Sequence, residues 1–140
     1  MSGRQTRIGF TGTQIGMTHE QRYVFKGLIH ELKPTEFHHG DCIGADKQAH
    51  ELIREISPQT FIIGHPPKID SKRARCKCDM YRMVNDYLQR NQNIVNECEI
   101  IIATPKEKEE QLRSGTWSTI RRAKKGWRKL YIINPDGSIQ

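Results

Sequence analysis

Nothing in this sequence is apolar for long enough to cross a bilayer. A spanning helix takes about 20 apolar residues, and the longest runs here, such as Ile100–Ala103, stop at four. The first ten residues, MSGRQTRIGF, lack the apolar core of a signal peptide. A cytoplasmic protein without membrane contact is therefore expected. Its four cysteines (Cys42, Cys76, Cys78 and Cys98) are then expected as reduced thiols. Familiar zinc spacing is missing as well. His38, His39, His50 and Cys42 match no common pattern, and neighbours such as His38 and His39 on a strand point to opposite faces. Cys76-x-Cys78 is too close to be half of an ordinary C-x-x-C pair. No metal and no cofactor are expected on that reading. The loop GFTGTQIG (Gly9–Gly16) is not the G-x-G-x-x-G fingerprint, and Asp41 lies too far along to serve as the ribose acid, which argues against a conventional NAD site. Aromatic residues are few, at 7%. Only Trp117, Trp127, Tyr81 and Tyr87 stand near cations, so a base-stacking nucleic-acid groove is disfavoured. Repeats and low-complexity segments are absent too.

What is present is a chain of 140 residues, 35% hydrophobic and 28% charged, which suits one globular domain spanning 1–140. Its formal charge of +7 favours an anionic partner. Seven cations and no carboxylate fall between Arg113 and Lys129, and KIDSKRARCK (Lys68–Lys77) forms a second basic stretch.

Apolar runs and helical stripes alternate. Strands are expected at Arg7–Phe10, Thr35–His39, Thr60–Ile63, Glu99–Ala103 and Leu130–Ile133. A capping box at Thr18 and Gln21 opens a helix carrying Val24, Leu28, Ile29 and Leu32. A second helix carries Ala45, Ala49, Leu52, Ile53 and Ile56. A third shows Val84, Leu88, Asn91, Val95 and Cys98 on one face, and a fourth carries Thr116, Ile120, Ala123 and Trp127. Each connection is long enough for a crossover helix. That predicts an α/β fold, a five-stranded parallel sheet with helices on both faces. Ligands in such sheets bind beyond the carboxyl ends of the strands. Those ends carry Thr11-Gly12-Thr13, Gly40-Asp41, His65, Thr104 and, after a loop, Ser114-Gly115-Thr116.

Ser114, Gly115 and Thr116 would start the fourth helix, where free N–H groups and the dipole attract a phosphate. Arg113 could add a bidentate contact. Thr11, Gly12 and Thr13 offer N–H and hydroxyl groups on the neighbouring turn. Gly40 lets the backbone approach a ligand or turn sharply, and Asp41 offers a carboxylate to loop N–H groups or to ligand hydroxyls. Asp46, near a helix start, reads mainly as structural. Asn91 on an apolar stripe needs partners, because leaving it unpaired costs roughly 1–3 kcal/mol. Asn91 or its neighbour Arg90 would reach a ligand at the sheet edge. Trp117 reads as core. The loop from Pro66 to Asp79 reads as a lid or an oligomer contact.

Three segments together resemble the SLOG superfamily of Rossmann-like domains: HHGDCIGADKQAH, RNQNIV followed by IIIATP, and RSGTWSTIRRAKKGWRKLYIINPDG. That superfamily includes DNA-processing protein A, the cytokinin-activating phosphoribohydrolases and small stand-alone bacterial and phage proteins. The likeness spans Arg7 to Gly137. It implies strand order 3-2-1-4-5, a frequent homodimer, and a nucleotide-type ligand held by Gly12, Thr13, Asn91, Ser114, Gly115 and Thr116. Catalysis carries over less well. The phosphoribohydrolase motif's catalytic Glu aligns with Thr119, and its doubled glycine is missing. Asp41, Glu109 and Glu110 are the remaining candidate catalytic carboxylates. The expected function is binding of a nucleotide-derived ligand as a sensor or sequestering protein. The alternatives are a nucleoside-phosphate N-glycosidase and a single-stranded nucleic-acid binder.

Overall fold

The computed structural model describes residues 4–140; residues 1–3, the start of the stretch read for a leader, lie outside it. Six strands form one sheet: β1 (Arg7–Gly12), β2 (Glu36–His39), β3 (Phe61–Gly64), β4 (Met80–Tyr81), β5 (Ile100–Thr104) and β6 (Lys129–Ile132). Their order is β4-β3-β2-β1-β5-β6, and every pairing is parallel. The five expected strands keep the expected order. The addition is β4, two exposed residues beside β3 with too little apolar pattern to be visible in the sequence.

Four helices cover the sheet: α1 (His19–Leu32), α2 (Ala45–Ile56), α3 (Tyr87–Glu97) and α4 (Gly115–Lys125). Alternation along each strand divides the core in two. Ile8, Phe10, Phe37, Ile62 and Ile102 pack with Phe25, Ile29, Ala49 and Ile53 of α1 and α2. Ile101 and Ala103 face the other way, toward Ile94 and Val95 of α3 and Trp117, Ile120 and Ala123 of α4. Full burial of each large aliphatic side chain contributes about 1.5–3 kcal/mol. Gly9 sits under α3 because a Cβ there would stand 2.7 Å from Ile94 Cγ2.

Thr18 and Gln21 form the expected capping box on α1, with bonds of 3.0 and 2.9 Å. Two helical stripes need correction. Asp86 caps α3 by accepting from Gln89 N–H at 3.0 Å, so Val84 falls outside the helix, and both Val84 and Leu88 are exposed. The inward face is Arg90, Asn91, Ile94 and Val95. Likewise α4 ends at Lys125, and Trp127, at φ 59°, is 94% exposed instead of extending the stripe. Among the described residues no helix is long and apolar enough to cross a membrane.

Candidate functional site

The winding reverses between β1 and β5, and the turns leaving these strands lie side by side. Thr13 N–H donates to the Thr104 carbonyl at 3.3 Å. An open cleft of about 800 Å³ lies there, walled by Gly12, Thr13, Gln14 and Ile15 on one side and by Ser114, Gly115 and Thr116 on the other. The loop after β5 contributes Lys106, Glu107, Glu110, Gln111, Leu112 and Arg113, and Tyr87 closes the bottom. The two glycine-containing turns read from the sequence therefore share one mouth.

Ser114 is the N-cap of α4, and its hydroxyl oxygen accepts from Trp117 N–H at 3.2 Å. The first turn of a helix has no intrahelical partners for its N–H groups. Gly115 and Thr116 thus bring unused donors and the positive end of the helix dipole to the cleft wall. Gly115 is glycine for space: a Cβ would collide with the Tyr87 ring. Gly44, at φ +91°, lets the start of α2 pack directly on the Gln14 backbone, and Ala45 N–H donates to the Thr13 carbonyl at 2.9 Å. Two apolar side chains stand free on the rim, Ile15 at 76% and Leu112 at 86% exposure.

Beneath the cleft is a void of about 20 Å³, room for about one water. Thr11, Gly12, Gly40, Cys42, Asp46, Tyr87, Arg90, Asn91 and Thr116 are among its walls. Arg90 is buried, and its guanidinium is committed. It donates to the Gly40 carbonyl at 2.7 Å, the His65 carbonyl at 3.1 Å and Asn91 Oδ1 at 3.0 Å, and it lies 4.9 Å from the Tyr87 ring centre. It ties the carboxyl ends of β2 and β3 to α3 and is not a free partner for a ligand in the open cleft. Asn91 Nδ2 and Asp46 Oδ1 are buried without partners among the described residues. Asp46 Oδ2 accepts from Cys42 N–H at 3.1 Å. Burial raises the Asp46 pKa to about 6, against the opposing pull of Arg90.

Asp41 needs the largest correction. It is fully buried at φ 51° and lines neither space. Its carboxylate accepts from Arg73 Nε at 3.0 Å and from Cys76 N–H at 2.8 Å. It anchors the basic loop, and Ala74 N–H donates to its carbonyl at 2.8 Å. The segment from Pro66 to Asp79 is thus a packed strap that contributes no wall to the cleft. Of the other carboxylate candidates, Glu110 lines the cleft and pairs with Arg121 at 2.9 Å, whereas Glu109 does not line it. Thr119 is sealed in the core, and its hydroxyl donates to the Gly115 carbonyl at 3.2 Å. Gln14, Tyr87, Lys106 and Glu107 line the cleft without a sequence motif that marks them as ligand contacts. Only the position of Lys106 just past a strand end hinted at a role.

The histidines separate as strand alternation requires. His38 turns toward His65, with Nδ1 and Nε2 2.9 Å apart, while His39 turns to the opposite face and meets His50 at 3.1 Å. Cys76 lies close to His39 and His50, and Cys78 Sγ is 3.6 Å from His39 Nε2.

No family model and no curated protein matches this sequence. Among solved structures, the chain is similar to the molybdenum cofactor binding protein from the phototrophic bacterium Rippkaea orientalis. The TM-score is 0.72 at 20% identity, covering 95% of this chain and 78% of that one. The likeness is one of fold: a Rossmann-like parallel α/β domain.

Proposed function

We propose that this protein binds a nucleotide or nucleotide-derived anion in the cleft between the β1 turn and the start of α4. The carrying observation is convergence. Gly12-Thr13 and Ser114-Gly115-Thr116, separated by about a hundred residues of chain, wall one opening at the reversal point of the sheet. A phosphate on the Gly115 and Thr116 N–H groups would have Lys106 and Arg113 as cationic neighbours. Ile15 and Leu112 would flank a flat ring at the rim. The cofactor-binding neighbour supports a ligand-binding reading in general, and the SLOG likeness narrows it to a nucleotide. The role would be sensing or sequestering, and the same likeness implies a homodimer.

Glu110 favours a second reading, N-glycosidic hydrolysis, because, of the three carboxylates named from the sequence, it is the one that lines the cleft, where Glu107 joins it. The Glu110 carboxylate accepts from Arg121 at 2.9 Å. The nucleic-acid reading loses support because Trp117 is buried. Exposed Trp127 sits with Arg7 and Arg128 at the opposite end of the sheet, where Glu36, Glu97 and Glu99 intervene.

Thermal-shift titration with nucleoside phosphates, ADP-ribose and cyclic nucleotides tests the binding reading. Saturation to about 100 Kd should stabilise the fold by about 2.7 kcal/mol. Arg113→Ala and Lys106→Ala should weaken the shift without altering the unliganded melting temperature. No shift with any of these ligands, and no nucleotide carried through purification, would overturn it. Base release from nucleoside monophosphates that disappears in Glu110→Gln would favour the hydrolase.

A further inference from the structure

We propose that His39, His50, Cys76 and Cys78 form a metal site suited to zinc, distinct from the cleft. Three elements bring these residues together: the end of β2, the middle of α2 and the strap after β3. His39 Nε2 and His50 Nδ1 are 3.1 Å apart, and Cys78 Sγ is 3.6 Å from the same His39 nitrogen. Ligand atoms around one tetrahedral zinc stand roughly 3.3 Å apart for two nitrogens and roughly 3.6 Å for nitrogen and sulfur, from its bond lengths. One ligand atom each from His39, His50 and Cys76 falls within 4.8 Å of the others; Cys78 is outside that group, joins through His39, and must swing inward to complete the set. Soft sulfur and imidazole donors, with no carboxylate among the ligands, select zinc over magnesium or calcium.

The surroundings hold the sulfurs in place. Cys78 N–H donates to the Cys76 carbonyl at 3.0 Å, closing a tight turn, and the Tyr81 hydroxyl donates to that same carbonyl. Asp41 accepts Cys76 N–H at 2.8 Å. Gly64 leaves room for Cys78, since a Cβ there would lie 2.9 Å from its sulfur. His39, His50 and Cys76 are buried, Cys78 is half-buried, and His50 and Cys76 border a surface depression that provides entry. The second cluster, His38, His65 and Glu97, is not equivalent, because Arg82 occupies both carboxylate oxygens of Glu97 at 2.6–3.2 Å.

Charge balances on binding. The two thiols release their protons to solvent, two thiolates balance the divalent ion, and the Asp41 carboxylate beside Cys76 is balanced by Arg73 at 3.0 Å. The contacts of His39 must change. Asp41 N–H donates to His39 Nδ1 at 2.9 Å, so the metal-free ring carries its proton on Nε2, aimed at His50. An ion on Nε2 moves that proton to Nδ1, and the Gly40–Asp41 peptide must turn away, shifting the Gly40 carbonyl that accepts from Arg90. The site would then clasp the strap to β2 and α2.

The test is metal analysis of the full chain purified without chelator, followed by cobalt substitution. Expected are one zinc per chain and, with cobalt, a sulfur-to-cobalt charge-transfer band with the intense visible bands of a tetrahedral site. Cys78→Ser and His50→Gln should each weaken affinity by more than about tenfold, because even outer-shell changes cost that much. Cys98→Ser, in the opposite core layer, should leave binding unchanged. Where a variant fails to fold, the wild type still decides: zinc should protect Cys76 and Cys78 from alkylation, and a chelator should restore their labelling. Absence of stoichiometric metal, together with equal alkylation in the presence and absence of added zinc, overturns the proposal. None of the four residues walls the nucleotide cleft, so either result leaves the ligand reading to its own test.

Discussion

His65 gives a direct measure of what the buried polar network costs in acid. Its imidazole is buried against His38, and its Nδ1 has no partner among the described residues. Burial, and then repulsion from a protonated His38, lower its pKa from 6.5 to about 3. An unfolded histidine titrates near 6.5. Below that pH the unfolded chain therefore binds a proton that the folded chain refuses. The stability contribution is fully present above about pH 6.5 and is lost progressively as pH falls toward the folded value near 3. Between about pH 7 and about pH 4.5 this one group should remove about 2.6 kcal/mol. His65→Gln abolishes the titration while leaving an amide able to reach His38. Urea denaturation at the two pH values should show the wild type losing about 2.6 kcal/mol more than the variant. The two rings share a hydrogen bond and take up protons jointly, so the difference in slope is the quantity to compare. Equal pH slopes for the two proteins would refute the assignment of a buried neutral imidazole at this position.

Three further outcomes follow from single contacts. Gly44→Ala should destabilise by more than about 1 kcal/mol from the positive φ alone, with the collision against the Gln14 backbone added; thermal denaturation checks it. Arg73→Met leaves the buried Asp41 carboxylate without its ion pair and should cost about 3 kcal/mol, with Asp41→Asn in the same chain recovering part of the loss in urea titrations. Hydrogen exchange in the strap should rise in the single variant. Ser114→Ala removes the α4 cap, should cost about 1 kcal/mol, and should weaken any nucleotide-dependent thermal shift.

The elements that were legible in the sequence share one property: their signal is local. Ile100–Ala103 is apolar on both faces because it lies between two helix layers, and its composition alone carries that information. The Thr18–Gln21 box needs only four consecutive residues. By contrast, Asp41 reads equally as an acceptor for loop N–H groups and for a ligand until Arg73 and Cys76 are brought to it from more than 30 residues away. Arg90 reads as a cation free to reach a ligand at the sheet edge, yet its three carbonyl-type acceptors come from the residues just after β2 and β3 and from its own neighbour, and only the parallel register sets the first two side by side.

The histidine–cysteine cluster carries this argument to its limit. Sequence spacing tests for metal sites assume that ligands come in pairs from one hairpin or one helix turn. Here His39 and Gly64 are register partners across β2 and β3, so the strap leaving β3 returns its cysteines over the end of the neighbouring strand. Strand alternation, which separates His38 from His39, is what selects His39 for that face. The same rule that argued against a metal from the paired histidines thus sorts one of them into a cluster with His50, Cys76 and Cys78. The missing information is the strand order, which no window of sequence around any one of these residues contains.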